Sequence, residues 1–191
     1  MHYNAWRTFF RFFFSLFYRW QVSGKHHVPL NGAVILCSNH SSLWDPPILA
    51  SPLSRKVHYM AKSELFRIPI FNKIIAQLGA FPVKRNGISK ESIKTALHLL
   101  SEGKVIGIFP EGSRKVTIGA AQKGAASLAL KSKATLIPVA IVGNYRLFKP
   151  MKVIYGSPLD LNEFQGSTSD DIEQATEKMM FSIRTMHQMN R

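Results

Sequence analysis

The chain has 191 residues, 46% hydrophobic and 19% charged, a balance that fits one globular domain and excludes a disordered chain. Its single cysteine, Cys37, excludes a disulfide framework and a cysteine-rich zinc site. The formal net charge is +14, split into 22 basic and 5 acidic residues over 1–159 (net +17) and 3 basic and 6 acidic over 160–191 (net −3). The body of the protein therefore faces something anionic: a nucleic acid, a membrane, a phosphorylated substrate or an acidic protein.

Residues 6–20 are dominated by aromatic side chains, and six of the 13 Phe fall between positions 9 and 17. Arg11 and Arg19 interrupt the run, which is too short and too basic to span a bilayer and lacks a signal-peptide cleavage site. At about 100° per residue, Asn4, Arg7, Thr8, Arg11, Ser15, Tyr18 and Arg19 share one face. Trp6, Phe9, Phe10, Phe12, Phe13, Phe14, Leu16, Phe17 and Trp20 take the rest. A bulky aromatic face opposed to an arginine stripe predicts a helix lying in a membrane interface. The competing expectation is an ordinary helix packed on the domain's own core. Residues 1–24 are read as this appendage and 25–191 as the main domain.

Beyond it, residues 33–38 form an apolar run rich in branched side chains, which predicts a buried strand. Asp45-Pro46-Pro47 starts a helix. A strand is predicted over 57–61, a helix over 69–78 capped by Gly79, and a strand over 80–84. Residues 89–101 read as a helix capped by Ser89, with Ile93, Leu97 and Leu100 inward. A strand over 104–109, a helix over 122–131 and strands over 135–142 and 152–155 follow. A closing helix over 169–189 turns Ile172, Met179, Ile183 and Met186 inward. This alternation predicts an α/β fold: one layered domain with a mostly parallel sheet flanked by helices.

Four runs carry the chemistry. In Ser38-Asn39-His40-Ser41-Ser42-Leu43-Trp44-Asp45, a strand delivers His40 to a loop at its carboxyl end, where α/β sheets place ligand sites. Asp45, five residues on, is within reach of the imidazole across a turn. A carboxylate there fixes the tautomer, frees the other ring nitrogen to take a proton and stabilises the imidazolium. Against this stands a polar loop with an incidental histidine. In Phe109-Pro110-Glu111-Gly112-Ser113-Arg114-Lys115, Gly112 permits close backbone approach to a ligand and Arg114 and Lys115 suit a phosphate. Ala80-Phe81-Pro82-Val83-Lys84-Arg85 places Arg85 at a strand end. Leu136-Ile137-Pro138-Val139-Ala140 is a proline-bearing apolar strand.

Together, in order and with suitable spacing over residues 25 to about 160, these runs resemble the glycerolipid acyltransferase family. Asn39-His40-x4-Asp45 looks like its catalytic HX4D block. Gly79-x-Phe81-x-Val83-x-Arg85 looks like the second block, Phe109-Pro110-Glu111-Gly112-Ser113-Arg114 like the third and Ile137-Pro138-Val139 like the fourth. The resemblance implies transfer of a fatty acyl group from a thioester to the free hydroxyl of lysophosphatidate, giving phosphatidate. In that reading His40 is the general base and Asp45 its partner. Arg85, Glu111, Gly112, Arg114 and Lys115 bind substrate, with Arg85, Arg114 and Lys115 toward its phosphate. The oxyanion donors would be backbone amides near Pro138 or in the His40 loop. The co-substrate is an acyl carrier protein or acyl-coenzyme A, with no other cofactor and no metal; the adjacent His26-His27 pair reads as a solvated turn. The expected site of action is the cytoplasmic face of the cell membrane, on an anionic surface.

Other readings compete. The same chemistry on another lysolipid would be signalled by acceptance of a phosphate-free acceptor. A nucleic-acid-binding protein is disfavoured because no helix-turn-helix or RNA-binding signature is present and the aromatics are not interleaved with basic residues. A non-catalytic membrane module leaves the His40/Asp45 pair unexplained. A serine hydrolase lacks a Gly-x-Ser-x-Gly elbow beside Ser41 and Ser42. Cys37, inside an apolar strand, reads as an inert thiol. The acidic segment from Asp160 to Glu177 is predicted to face away from the bilayer.

Overall fold

The computed structural model describes residues 2–83, 90–110, 118–164 and 168–191. In chain order they form α1 (His2–Phe17), β1 (Arg19–Ser23), β2 (Val34–Ser38), α2 (Asp45–Ala50), β3 (Val57–Lys62), α3 (Phe71–Gln77), β4 (Ala80–Val83), α4 (Lys90–Ser101), β5 (Val105–Ile108), α5 (Ile118–Ser132), β6 (Thr135–Val142), β7 (Pro150–Tyr155) and α6 (Ser169–Met189). The strands make one seven-stranded sheet in the order β1-β7-β6-β2-β5-β3-β4. All pairings are parallel except β6 with β7. This is the α/β layered architecture expected from the alternation of strand and helix. The Ser89 cap lies outside the described residues.

The central strand β2 shows how the sequence builds two layers. Its five residues are all fully buried, and successive side chains point to opposite faces. Val34 and Leu36 join Val57, Val105, Ile137 and Met151 in a core covered by α1 and α2. Ile35 and Cys37 join Ile106, Leu136 and residues of α4, α5 and α6 in a second core on the other face. A strand covered on both sides has no solvent-facing positions, which is why 34–37 reads as a continuous apolar run, closed by the buried Ser38. Cys37 is buried, and burial pushes its thiol far above the ordinary range, in line with an inert role.

The first segment departs from the expected helix in three ways. The helix stops at Phe17, and Arg19–Ser23 turns into an edge strand paired with β7. So Tyr18, Arg19 and Trp20 do not lie on the helix faces assigned to them. Phe10, Phe14 and Tyr18 are buried in the domain core, whereas Phe9, Phe12 and Leu16 are 51%, 67% and 53% exposed. The helix is therefore split: one apolar arc packs on the core and a second faces outward beside Asn4, Thr8, Arg11 and Ser15. The arginine stripe is reduced too. Arg7 turns inward and donates to the carbonyls of Leu53 and Ser54, at 3.2 and 2.8 Å. Trp6 Nε1 donates to Gln77 Oε1 at 3.0 Å, fastening α1 to α3. No helix among the described residues is long and apolar enough to cross a membrane.

Helix α6 packs on α5 and on the face of the sheet opposite α1, and opens with Asp170 and Asp171. Thr168 caps it by accepting the Asp171 amide at 3.0 Å. The sheet thus lies between the acidic start of α6 and the aromatic helix.

Candidate active site

The site forms where β2 ends. Asn39 uses its side-chain amide as a false backbone unit: Nδ2 donates to the Ile141 carbonyl at 2.9 Å and Oδ1 accepts the Ile141 amide at 2.8 Å. This ties the chain to β6 just past the β2–β6 ladder and fixes where His40 leaves the sheet. Residues 41–44 then turn, and Asp45 opens α2 with Pro46 and Pro47 in its first turn. Proline suits these positions, because its missing N–H would have no helical partner there.

His40 Nδ1 and Asp45 Oδ2 lie 2.7 Å apart. The same oxygen accepts the amides of Ser41 and Ser42 at 2.6 and 2.7 Å. The other carboxylate oxygen, Oδ1, accepts the Tyr145 hydroxyl at 2.5 Å. Burial raises the carboxyl's proton affinity. Hydrogen bonds from His40, Tyr145, Ser42 and Ser41 outweigh that and hold it below the usual carboxylate range. An ionised Asp45 can only accept, so the His40 proton sits on Nδ1 and Nε2 carries the free lone pair. The His40 side chain is 26% exposed and that of Asp45 is fully buried, so of the pair only the imidazole reaches the surface.

Aromatic rings frame the pair. Phe109 stacks on His40 with centroids 4.4 Å apart and planes at 27°, and Tyr59 stacks behind Phe109 at 6.0 Å. The Tyr59 hydroxyl donates to the Pro46 carbonyl at 2.9 Å, bracing the start of α2. Trp44, next to Asp45, stacks on Phe13 at 5.3 Å and packs edge-on against Phe10 and Phe14 of α1.

The predicted His40–Asp45 contact is thus formed. Arg85, Glu111, Gly112, Arg114 and Lys115 lie outside the described residues. The amides of Ser41 and Ser42 are taken up by Asp45, which removes two of the expected oxyanion donors in the His40 loop. Pro138 lies within the sheet, its carbonyl accepting the Gly156 amide at 2.8 Å. Its missing N–H falls beyond the end of β7, where a central strand tolerates it. His27 is tied down rather than loosely solvated: its Nδ1 is 3.0 Å from the Tyr155 carbonyl. Sequence reasoning missed Tyr145 and the stacking role of Phe109. The turn-forming Gly143-Asn144 ahead of Tyr145, just past a strand end, was the available signal.

Comparison with known proteins gives the chain's family and fold. Residues 19–142 match the family model described as Acyltransferase. A 1-acyl-sn-glycerol-3-phosphate acyltransferase of Bacillus subtilis is 36% identical over 150 residues, covering 75% of each chain. One of Borreliella burgdorferi is 30% identical over 144 residues, 73% of this chain and 57% of the relative. The crystal structure of the 1-acyl-sn-glycerophosphate acyltransferase PlsC from Thermotoga maritima shares the fold, with a TM-score of 0.73 at 24% identity. It covers 96% of this chain and 78% of that one.

Proposed function

Because the chain belongs to the acyltransferase family, we propose that it transfers a fatty acyl group from a thioester to the free hydroxyl of lysophosphatidate, yielding phosphatidate. The observation that carries the mechanism is the His40 Nδ1–Asp45 Oδ2 contact at 2.7 Å, which leaves Nε2 as a free base at the mouth of the site. The named relatives support the choice of acceptor.

In this reading Nε2 removes the proton of the acceptor hydroxyl as its oxygen attacks the thioester carbonyl carbon. Asp45 stays ionised and stabilises the imidazolium. Collapse of the tetrahedral intermediate breaks the C–S bond, and the proton held on Nε2 passes to the leaving thiolate. An ester and a free thiol result, with no net change in oxidation state. Arg85, Arg114 and Lys115 hold the phosphate, with Glu111 and Gly112 beside them. The co-substrate is acyl carrier protein or acyl-coenzyme A, both anionic and matched to a basic body.

The enzyme works on the anionic, cytoplasmic face of the membrane as a peripheral protein. Support comes from the outward Phe9, Phe12 and Leu16 of α1 and from Leu43, Trp44, Leu147 and Phe148, exposed in the loops after β2 and β6. The test is acyl transfer to lysophosphatidate in vesicles, with each donor in turn, by wild type and His40→Ala. A folded, inactive His40→Ala is expected; a fully active one overturns the mechanism. Acceptance of only a phosphate-free lysolipid would reassign the acceptor.

A further inference from the structure

The buried carboxylate of Asp45 is held at both oxygens, and the two sides are unlike. Oδ2 takes His40 and two backbone amides, all supplied by the loop that carries the pair. Oδ1 takes the hydroxyl of Tyr145, a hundred residues away, in the loop between β6 and β7. Tyr145 has φ 54, a left-handed backbone that a residue with a Cβ adopts only at a cost in strain. Three contacts offset that cost. Its amide points at Met151 Sδ, 3.4 Å away. Its ring packs edge-on against the buried Tyr18 at the end of α1, with centroids 6.2 Å apart and planes at 82°. Its hydroxyl reaches Asp45.

We infer that Tyr145 is a positioning residue for acyl transfer, donating to Asp45 Oδ1 so that the carboxylate stays ionised and in plane with the His40 imidazole through the proton transfer. The inference rests on the reading of His40 as the base. Burial and the adjacent Asp45 charge raise the Tyr145 hydroxyl well above its ordinary range, so it donates at every working pH. Its bond to Oδ1 does two things. It prevents the carboxylate from twisting about its side-chain bond away from Nδ1–H. It also lowers the carboxylate's proton affinity, so the imidazolium keeps its Nδ1–H against Asp45 and gives up the Nε2 proton to the thiolate. Tyr18 packs against the ring from the end of α1, so the seat of α1 on the core adjoins the His40–Asp45 pair through this aromatic contact.

The test is Tyr145→Phe, which keeps the ring, the Tyr18 contact and the backbone. Loss of a hydrogen bond to a charged group predicts a fall in kcat of about tenfold or somewhat more. KM for acceptor and donor is expected to stay unchanged, because Tyr145 acts behind the base. The low-field proton resonance of His40 Nδ1–H, assigned by its loss in His40→Ala, is expected to move further downfield in Tyr145→Phe as Asp45 becomes a stronger acceptor. A wild-type kcat, a rise in KM in place of the fall in kcat, or an unmoved resonance each overturns the inference. His40→Ala separates the two claims. If it is inactive while Tyr145→Phe behaves as wild type, only the role of Tyr145 falls. If it is fully active, the reading of the base falls with it.

Discussion

The split of α1 into two apolar arcs makes a quantitative prediction that separates membrane binding from folding. Phe9, Phe12 and Leu16 are each exposed by half or more. Moving such a half-exposed side chain from water into the headgroup–acyl boundary yields about 1 kcal/mol, roughly half the value for complete burial. Replacing all three with Ser is expected to cost about 3 kcal/mol of membrane affinity, or on the order of 10²-fold in partitioning. The folded domain loses little, because Phe9 meets Trp6 and Phe10 edge-on and stacks on Phe13, all within α1, while Phe12 and Leu16 face outward. Phe14 is the reverse case: fully buried against Tyr18, Trp20 and Trp44. Phe14→Ala is expected to cost about 3–5 kcal/mol of stability. Co-sedimentation with vesicles rich in anionic lipid measures the first effect and thermal unfolding the second. The triple Ser variant should stay in the supernatant with a near-normal melting temperature. If it sediments like wild type, the outward arc is not the membrane-binding face, and the proposed orientation is wrong.

Two further outcomes follow from the site. Asp45 is held below the ordinary carboxylate range in the folded protein, so the stability it contributes is complete above about pH 4 and lost as pH falls through its lower folded value. Thermal unfolding from neutral to acid pH should therefore fall less steeply in Asp45→Asn than in wild type, and parallel curves would refute the assignment. A Cβ added at Gly107 would lie 2.1 Å from the Tyr59 ring, so Gly107→Ala must displace Tyr59, and with it Phe109 and the Pro46 contact. A loss of about 1–3 kcal/mol of stability together with reduced acyl transfer is expected; normal stability and turnover would show that this stack does not brace His40.

The elements that could be read from sequence are those whose signal is local. The buried run at 34–38, the periodicity of α6 and the Asp-Pro-Pro start of α2 each follow from a few adjacent residues. The His40–Asp45 contact belongs here too, since a single turn closes it. What escaped was non-local. Arg19–Ser23 follows the aromatic helix with no Gly or Pro to mark its end, and its strand identity comes from pairing with Pro150–Ile154, 131 positions on. Nothing within its own five residues competes with the helical pattern before it. Arg7 shows the same limit: its position on the helix suggested a lipid headgroup, but the carbonyls of Leu53 and Ser54 complete its environment. Tyr145 reads as an ordinary loop residue until a contact across a hundred positions gives it a charged partner.

The placement of the apolar surface bears on how a lysolipid would reach the base. The strand ends that carry His40 also carry the exposed Leu43 and Trp44 after β2 and Leu147 and Phe148 after β6. The amide of Phe148 donates to the Phe17 carbonyl at 2.8 Å, so the second loop adjoins the end of α1. An acceptor whose acyl chain stays in the bilayer presents its glycerol hydroxyl within a few ångströms of the headgroup level. A base recessed far from the lipid-facing edge would have to extract the whole molecule, losing about 0.8 kcal/mol for every CH₂ brought into water. A base at the edge avoids that cost. The opposite side of the sheet carries α6, where Asp170 and Asp171 in the first turn would be repelled by anionic lipid. On the proposed membrane-bound reading, the exposed apolar side chains therefore favour α1 and the His40 loop toward the membrane, with the acidic first turn of α6 away from it.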